Sequence, residues 1–200
     1  MRFDRPFLVP AAAGTLLLLV GWLQFREVRR LLAVSNPPVL GAGQLAPELT
    51  APDSRQVLRR VSDYKGRLVL VSFWASWCGP CRAEMPDLAS FAQSWNSDRS
   101  RKHELVYLAV NFKEEPQEVR SIVRDARFKQ VIFLFDEDGS IADRWKVTAF
   151  PTNFLLDPEG KVLDAAVGYS PDFSYRLQVN LSRFRTAAPP GIPGKPRPSP

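Results

Sequence analysis

Cysteine and histidine are nearly absent from this chain, which has two cysteines and one histidine among 200 residues. A structural zinc site usually needs four ligands, most of them from these two residue types. The single histidine, His103, lies 22 residues after the second cysteine, so the sequence predicts no metal site. Two cysteines also provide no framework of structural disulfides, so nothing in cysteine usage marks an oxidising compartment.

The central part of the chain lacks an excess of positive or negative charge, although the formal net charge of the whole chain is +6. Residues 1–35 contribute +3 and residues 187–200 contribute +2, which leaves +1 for residues 36–186. The basic character therefore belongs to the two ends of the chain. A central domain with balanced charge gives no reason to predict nucleic-acid binding.

Charged residues are also missing from residues 7–25, whose sequence is FLVPAAAGTLLLLVGWLQF. As a helix these 19 residues would be about 28 Å long, which is enough to cross the hydrocarbon core of a membrane. A cleaved signal segment is the alternative, but charged residues would crowd the segment before a cleavage site at residues 33–35. We therefore predict a membrane anchor within residues 1–34. Basic residues flank the apolar segment on both sides and leave its orientation open.

Composition divides the rest of the chain into three parts. Residues 35–47 are rich in proline and glycine and predict a linker, and residues 48–186 are long enough for one compact domain. Residues 187–200 contain six prolines and two glycines and predict a disordered tail. Within the domain, short apolar runs predict strands at 67–74, 104–111, 131–135, 152–156 and 162–167, after a hairpin at 49–60 that turns at Pro52 and Asp53. Helical periodicity predicts helices at 81–95, 115–128, 139–145 and 172–185.

Both cysteines stand in the motif WCGPC, residues 77–81, between a predicted buried strand and a predicted helix. Unpaired N–H groups and a positive partial charge at a helix N-terminus favour the thiolate form of cysteine. Cys78 is therefore the predicted nucleophile. Cys81 is the predicted resolving thiol, which would close a disulfide with Cys78. This arrangement favours redox chemistry over metal binding.

Two segments together carry a family resemblance. FWASWCGPCRAEMP, followed about 70 residues later by FPTNFLLDPEGK, resembles the membrane-tethered TlpA-like thiol-disulfide oxidoreductases of the thioredoxin superfamily, a group that includes cytochrome c maturation proteins. The resemblance covers about residues 41–185. It implies an α/β thioredoxin fold, with a central mixed β-sheet flanked by helices and with an additional helix and strand, which we expect at residues 113–135.

The resemblance also implies a location and partners. The domain would lie on the periplasmic or equivalent side of the cytoplasmic membrane, attached through residues 7–25, and its substrates would be disulfides of other proteins. The redox-active disulfide between Cys78 and Cys81 would serve without a further cofactor. A membrane thiol donor would supply electrons, because the periplasm has no reducing buffer.

The same resemblance assigns a substrate-binding face. In the superfamily, a proline matching Pro151 is cis and lies beside the cysteine pair, and the residue before it, here Phe150, pairs with the main chain of the substrate. The alternative is that Pro151 only begins the strand at 152–156, a position that proline tolerates. The predicted substrate-binding residues are Trp77, Gly79, Pro80, Phe150 and Pro151. Trp74 is predicted to pack in the core instead.

A proton acceptor for the resolving thiol is expected at Glu84. Soluble thioredoxins have a buried aspartate in the central strand, but the matching position here is Ser72, which cannot accept a proton at neutral pH. Glu84 lies three residues after Cys81 on the same predicted helix and matches a glutamate of the TlpA-like motif. The alternative is an acid that only complements the helix dipole. Cys78, Cys81 and Glu84 are therefore the predicted catalytic residues.

The predicted function is reduction of disulfides in extracytoplasmic proteins, for example in cytochrome c maturation. The Gly-Pro pair between the cysteines is that of thioredoxins, which are strong reductants with potentials of about −270 mV. A thiol peroxidase remains an alternative, although its reactive cysteine would stand in a different turn. A metal-site assembly factor is also compatible with the cysteine pair, although no histidine follows His103. So is a redox-silent binding module tethered to the membrane.

Overall fold

The computed structural model describes residue 22, residues 40–98 and residues 100–184. The predicted tail lies outside the described residues, as do the predicted anchor, apart from Trp22, and the first part of the predicted linker. Within the described part of the chain, no helix has the length and apolar composition needed to span a membrane.

In the described part of the chain, seven strands form a small hairpin and a five-stranded sheet. The strands are β1 (Thr50–Pro52), β2 (Leu58–Arg60), β3 (Leu68–Trp74), β4 (Leu105–Phe112), β5 (Val131–Asp136), β6 (Thr152–Leu156) and β7 (Val162–Val167). The order in the large sheet is β5-β4-β3-β6-β7. Strands β3, β4 and β5 are parallel to one another, and β6 is antiparallel to both β3 and β7. The five strands predicted for this sheet are confirmed.

The described helices are α1 (Gly79–Ser97), α2 (Arg120–Val123), α3 (Ser140–Arg144) and α4 (Phe173–Leu181). Short 3-10 turns lie at Val61–Tyr64, Ala126–Phe128 and Ser182–Phe184. Helix α1 continues through Pro86. All seven residues of β3 are buried, because α1 and α4 cover one face of the sheet and β1 and α3 cover the other.

The helix predicted at residues 115–128 is wrong in extent. Only α2 and one 3-10 turn form there, because the Asp125 carboxylate accepts the N–H of Arg127 at 2.9 Å and starts the turn. A short polar side chain that bonds to nearby backbone competes with helix continuation in this way. The periodicity also predicts an apolar face of Val119, Ile122, Val123 and Ala126. Val119 is buried and Ile122 and Val123 pack against the core, but Ala126 is exposed.

Part of the segment predicted as linker packs against the domain. The Gly43 N–H donates to the Val162 carbonyl at 2.7 Å, and the Val162 N–H donates to the Gln44 carbonyl at 2.8 Å. Leu40 is buried. The compact domain therefore begins before residue 48. Its first hairpin also differs slightly from the prediction, because Pro52 pairs with Leu58 and the turn occupies residues 53–57.

Candidate active site

Cys78 and Cys81 lie at the start of α1, a few residues after the end of β3. Cys78 is the N-cap residue of α1, and its Sγ accepts the N–H of Cys81 at 3.2 Å. The two cysteines form a disulfide with Cα atoms 5.3 Å apart. Cys78 is 6% exposed and Cys81 is 2% exposed. In the reduced form, a thiolate at Cys78 would have this N–H donor and the positive end of α1 beside it, which favours Cys78 as the thiolate of the pair.

An aromatic surface lies beside the cysteines, made of Trp77, Phe150 and Phe112. Trp77 is 65% exposed, and its ring meets that of Phe150 edge to face with centroids 5.8 Å apart. The centroids of Phe150 and Phe112 are 4.9 Å apart. Trp74 is instead fully buried against Phe133, as predicted. The aromatic surface therefore joins the cysteine motif to the segment that contains Pro151.

The peptide bond between Phe150 and Pro151 is cis, as the resemblance implies. The Pro151 carbonyl accepts the Gly168 N–H at 2.7 Å. Within the described residues, by contrast, no hydrogen bond is made by the backbone N–H or carbonyl of Phe150. These two groups are available to an extended peptide, which is the role predicted for Phe150.

Glu84 lies in the interior beneath the cysteine motif. Its side chain is 5% exposed, and Oε2 accepts a hydrogen bond from Asn153 Nδ2 at 2.9 Å. Oε1 has no hydrogen-bond partner among the described residues. Burial raises the pKa of Glu84, the Asn153 bond opposes that rise, and Asp87 adds to it. This burial differs from the solvated position expected of an acid that only complements the helix dipole.

Further buried polar side chains lie near Glu84 on the sheet face that α1 covers. Ser72 pairs with Asn153 across β3 and β6, and Tyr107 lies on the neighbouring strand β4. Burial raises the pKa of the Tyr107 phenol, with Glu84 acting in the same direction and Ser72 in the opposite one. Together Ser72, Glu84, Tyr107 and Asn153 form what we call the buried polar cluster.

Glu114 is a site residue that sequence reasoning missed. Its carboxylate accepts the Ser76 N–H and the Asn111 side-chain amide, each at 2.7 Å, and also the Ser76 hydroxyl. Ser76 lies two residues before Cys78, so Glu114 holds the loop that leads into the cysteine motif. A sequence signal exists, because parallel strands place their carboxyl ends at one sheet edge and Glu114 closely follows β4 there.

Most of the predicted site residues meet at the carboxyl edge of β3. Trp77, Cys78, Gly79, Pro80 and Cys81 form the loop and first turn of α1, with Phe150 beside them and Pro151 next to Phe150. Glu84 lies beneath this group rather than on its surface. Asn153, the hydrogen-bond partner of Glu84, was not predicted.

Comparison with known proteins gives consistent matches. The model of the AhpC/TSA family matches residues 42–165. The thiol-disulfide oxidoreductase ResA of Bacillus subtilis (strain 168) is 30% identical over 168 residues, which cover 84% of this chain and 89% of ResA. The thiol:disulfide interchange protein DsbE of Xylella fastidiosa (strain Temecula1) is 30% identical over 163 residues, 80% of this chain and 78% of DsbE.

Solved structures agree with these sequence matches. A crystal structure described as thiol:disulfide interchange protein DsbE from Chlorobium tepidum superposes with a TM-score of 0.63 and 28% identity. The match covers 72% of this chain and 97% of that one. The predicted thioredoxin fold, with its mixed sheet and flanking helices, is thereby confirmed.

Proposed function

This chain belongs to the AhpC/TSA family, among its ResA- and DsbE-type thiol-disulfide oxidoreductases, and from that membership we propose that it reduces disulfides of extracytoplasmic proteins with the Cys78–Cys81 pair. It is a thioredoxin-like protein-disulfide oxidoreductase. The observation that carries the proposal is the Cys78–Cys81 disulfide at the N-terminus of α1, beside a segment with free backbone groups at Phe150.

The first step is attack by the Cys78 thiolate on one sulfur of a substrate disulfide. A disulfide forms between Cys78 and the substrate, and the other substrate sulfur leaves as a thiolate. The positive end of α1 and the Cys81 N–H stabilise Cys78 as the attacking thiolate. Phe150 would hold the substrate main chain, and the aromatic surface would cover its apolar side chains.

The second step closes the protein disulfide. The Cys81 thiol gives its proton to the Glu84 carboxylate and attacks Sγ of Cys78. The Cys78–Cys81 bond forms, the bond from Cys78 to the substrate breaks, and the second substrate sulfur leaves as a thiolate. The substrate gains two electrons and the cysteine pair loses two. The raised pKa of the buried Glu84 supports its role as the acceptor, because a stronger base takes the thiol proton more readily.

Features of the sequence support the reducing direction and the location. The Gly-Pro pair between the cysteines is that of reducing thioredoxins, and Cys78 has no histidine neighbour in the motif to stabilise the thiolate further. The apolar segment 7–25 supports attachment to the cytoplasmic membrane with the domain outside the cytoplasm. Electrons would then come from a membrane thiol donor. Cytochrome c maturation is one process in which such a reductant would act.

The reduction potential of the full chain tests the direction of electron flow. We expect a value below about −230 mV in glutathione or dithiothreitol buffers, since the pair would otherwise accept electrons from its substrates. Cys78→Ser is the control and should show no redox transition. A potential above about −150 mV would instead make the protein an oxidase or an isomerase.

Trapping of substrates tests the assignment of the two cysteines. In Cys81→Ser the Cys78 mixed disulfide cannot be resolved, so covalent complexes with disulfide proteins should accumulate on non-reducing gels. Cys78→Ser should form few of these complexes, because Cys81 is almost completely buried. Equal trapping by both variants would contradict the assignment. Turnover of peroxide without reduction of protein disulfides would make the protein a thiol peroxidase.

A further inference from the structure

Asn153 is a fully buried polar residue, and packing of the core does not explain why a polar side chain stands at this position. It lies on β6 opposite Ser72, on the sheet face that α1 covers, and none of its surface is exposed. Burying an amide is unfavourable unless the amide is hydrogen-bonded, and an apolar side chain of similar size would avoid that penalty. The Asn153 Nδ2 has a partner in Glu84, 69 positions away in the chain. Its Oδ1 has no partner among the described residues.

The hydrogen bond gives the two oxygens of Glu84 different surroundings. Oε2 is held by the Asn153 amide at 2.9 Å, while Oε1 has no donor within the described part of the chain. An amide is a donor that does not titrate, so it cannot give its proton to the carboxylate. It fixes the orientation of the carboxylate and leaves the other oxygen to receive a proton. Cys81 lies one helical turn before Glu84, on the same side of α1.

Strand β6 connects this interaction to the substrate-binding segment. Asn153 follows Pro151 by two residues, and the strand that carries this partner of Glu84 begins directly after the cis-proline. We propose that Asn153 is a positioning residue that holds Glu84 ready to accept the proton of Cys81 in the second step of the reaction. The inference rests on the proposed function, because it assumes that Cys81 resolves a mixed disulfide on Cys78.

Several titratable groups surround Glu84, and a test must separate its ionisation from theirs. From its own helix the described neighbours are Cys81 and Asp87, and from β4 the neighbour is Tyr107. Ser72 on β3 and Asn153 on β6 are neutral. Loss of the Asn153 donor would leave the carboxylate desolvated without its compensating hydrogen bond, so Glu84 would ionise at a higher pH.

The experiment follows the resolving step alone, in the reduced full chain mixed with one equivalent of dithionitrobenzoate. Attack by Cys78 releases the first thionitrobenzoate, and attack by Cys81 on the resulting mixed disulfide releases the second. The first-order rate of the second release is measured between about pH 4 and pH 9. In Asn153→Leu, the Glu84-dependent rise of this rate should move upward by about one pH unit, as expected for a lost hydrogen bond to a charged group.

Two further variants separate positioning from general structural damage. Asn153→Asp keeps the size of the side chain and replaces the donor with a second acid, so it should shift the profile in the same direction. Thr152→Val removes a buried hydroxyl on the opposite face of β6, where it donates to the Ala149 carbonyl, and should leave the profile in place. In a Glu84→Gln background the Glu84-dependent rise should be absent, and Asn153→Leu should cause no further shift.

Each outcome decides the inference. An upward shift in both Asn153 variants that disappears in the Glu84→Gln background supports it. An unchanged profile in Asn153→Leu and Asn153→Asp overturns it and leaves Asn153 as a structural residue. A parent profile that survives in Glu84→Gln also overturns it, because Glu84 is then not the acceptor. Failure of the parent chain to release the second thionitrobenzoate overturns the proposed function itself, which is a separate result.

Discussion

Glu84 is a buried acid whose ionised form is unfavourable in the folded protein. Burial raises its pKa above the ordinary value of 4.5, and the Asn153 hydrogen bond opposes only part of that effect. Between pH 4.5 and the folded pKa, the folded state binds more protons at this site than the unfolded state does. The contribution of Glu84 to stability is therefore largest in acid and is lost as the pH rises through that window.

Glu84→Gln removes this pH-dependent loss, because glutamine stays neutral while it keeps an oxygen for the Asn153 amide. We expect the variant to have a higher midpoint temperature than the parent at pH 7, and the difference to vanish below about pH 4.5. Calorimetry of the oxidised protein across this range checks the prediction. Glu159→Gln, at an exposed turn position, is the control and should follow the parent. A difference that persisted in acid would indicate a packing effect instead of ionisation.

Asp136 connects the end of β5 to the start of α3. Its two carboxylate oxygens accept the N–H groups of Ile141 at 3.0 Å and Ala142 at 2.8 Å, and the side chain is buried. Asp136→Ala should lower the free energy of unfolding by about 2 kcal/mol, since the N–H groups of Ile141 and Ala142 in α3 would lose their acceptor. Asp138→Ala is the comparison variant, because the Asp138 side chain is exposed and its carboxylate accepts the Ser140 N–H at the surface. Urea denaturation that gave equal losses for both variants would contradict this assignment.

Glu114 links the carboxyl ends of β3 and β4. Glu114→Ala removes the acceptor for the Ser76 N–H, the Ser76 hydroxyl and the Asn111 amide. We expect a loss of about 2 kcal/mol in the free energy of unfolding and faster amide hydrogen exchange at Ser76. Ser76→Ala loses only the hydroxyl bond and should show a smaller change in both measurements. Unchanged exchange at residue 76 in Glu114→Ala would show that the loop is held by other contacts.

The strands and helices also show which features of the fold a sequence pattern can predict. Strand β3 was predictable because seven consecutive buried residues leave an apolar run that only a central strand explains. The helix predicted at 115–128 failed because periodicity reports which residues are buried and does not report local hydrogen bonds such as that of Asp125. Val119 is buried as the pattern required, although α2 begins only at Arg120.

Contacts between distant segments were the hardest part of the site to predict. Cys78, Cys81 and Glu84 are close in sequence, so one helix fixes their relative positions. The Glu84–Asn153 bond instead depends on the register of β6 against β3, which pairs Asn153 with Ser72. A shift of one residue would turn Asn153 to the other face of the sheet, and no local pattern fixes that register.

At the scale of the whole domain, the described residues that precede β1 pack at the end of the sheet opposite the cysteine pair. Gly43 and Gln44 pair with Val162 at the start of β7. Because β6 is antiparallel to both β3 and β7, the start of β7 lies at the same end of the sheet as the start of β3. The cysteine motif follows the other end of β3. Residues 43 and 44 therefore lie at the end of the sheet away from the cysteine motif.

Membrane attachment tests the role predicted for the N-terminal apolar segment. We expect the full chain to sediment with membranes and to resist alkaline extraction, with the domain open to added protease outside the cytoplasm, because residues 7–25 are long and apolar enough to span a bilayer.

A chain lacking residues 1–36 should stay in the supernatant and retain its disulfide-reducing activity, since Leu40 and the pairing at Gly43 are kept. Leu18→Arg places a charge near the middle of the segment, where insertion is less favourable by about 3 kcal/mol, and should weaken attachment without changing the midpoint temperature of the domain. A full chain that was released by alkaline extraction as readily as the shortened one would exclude the anchor.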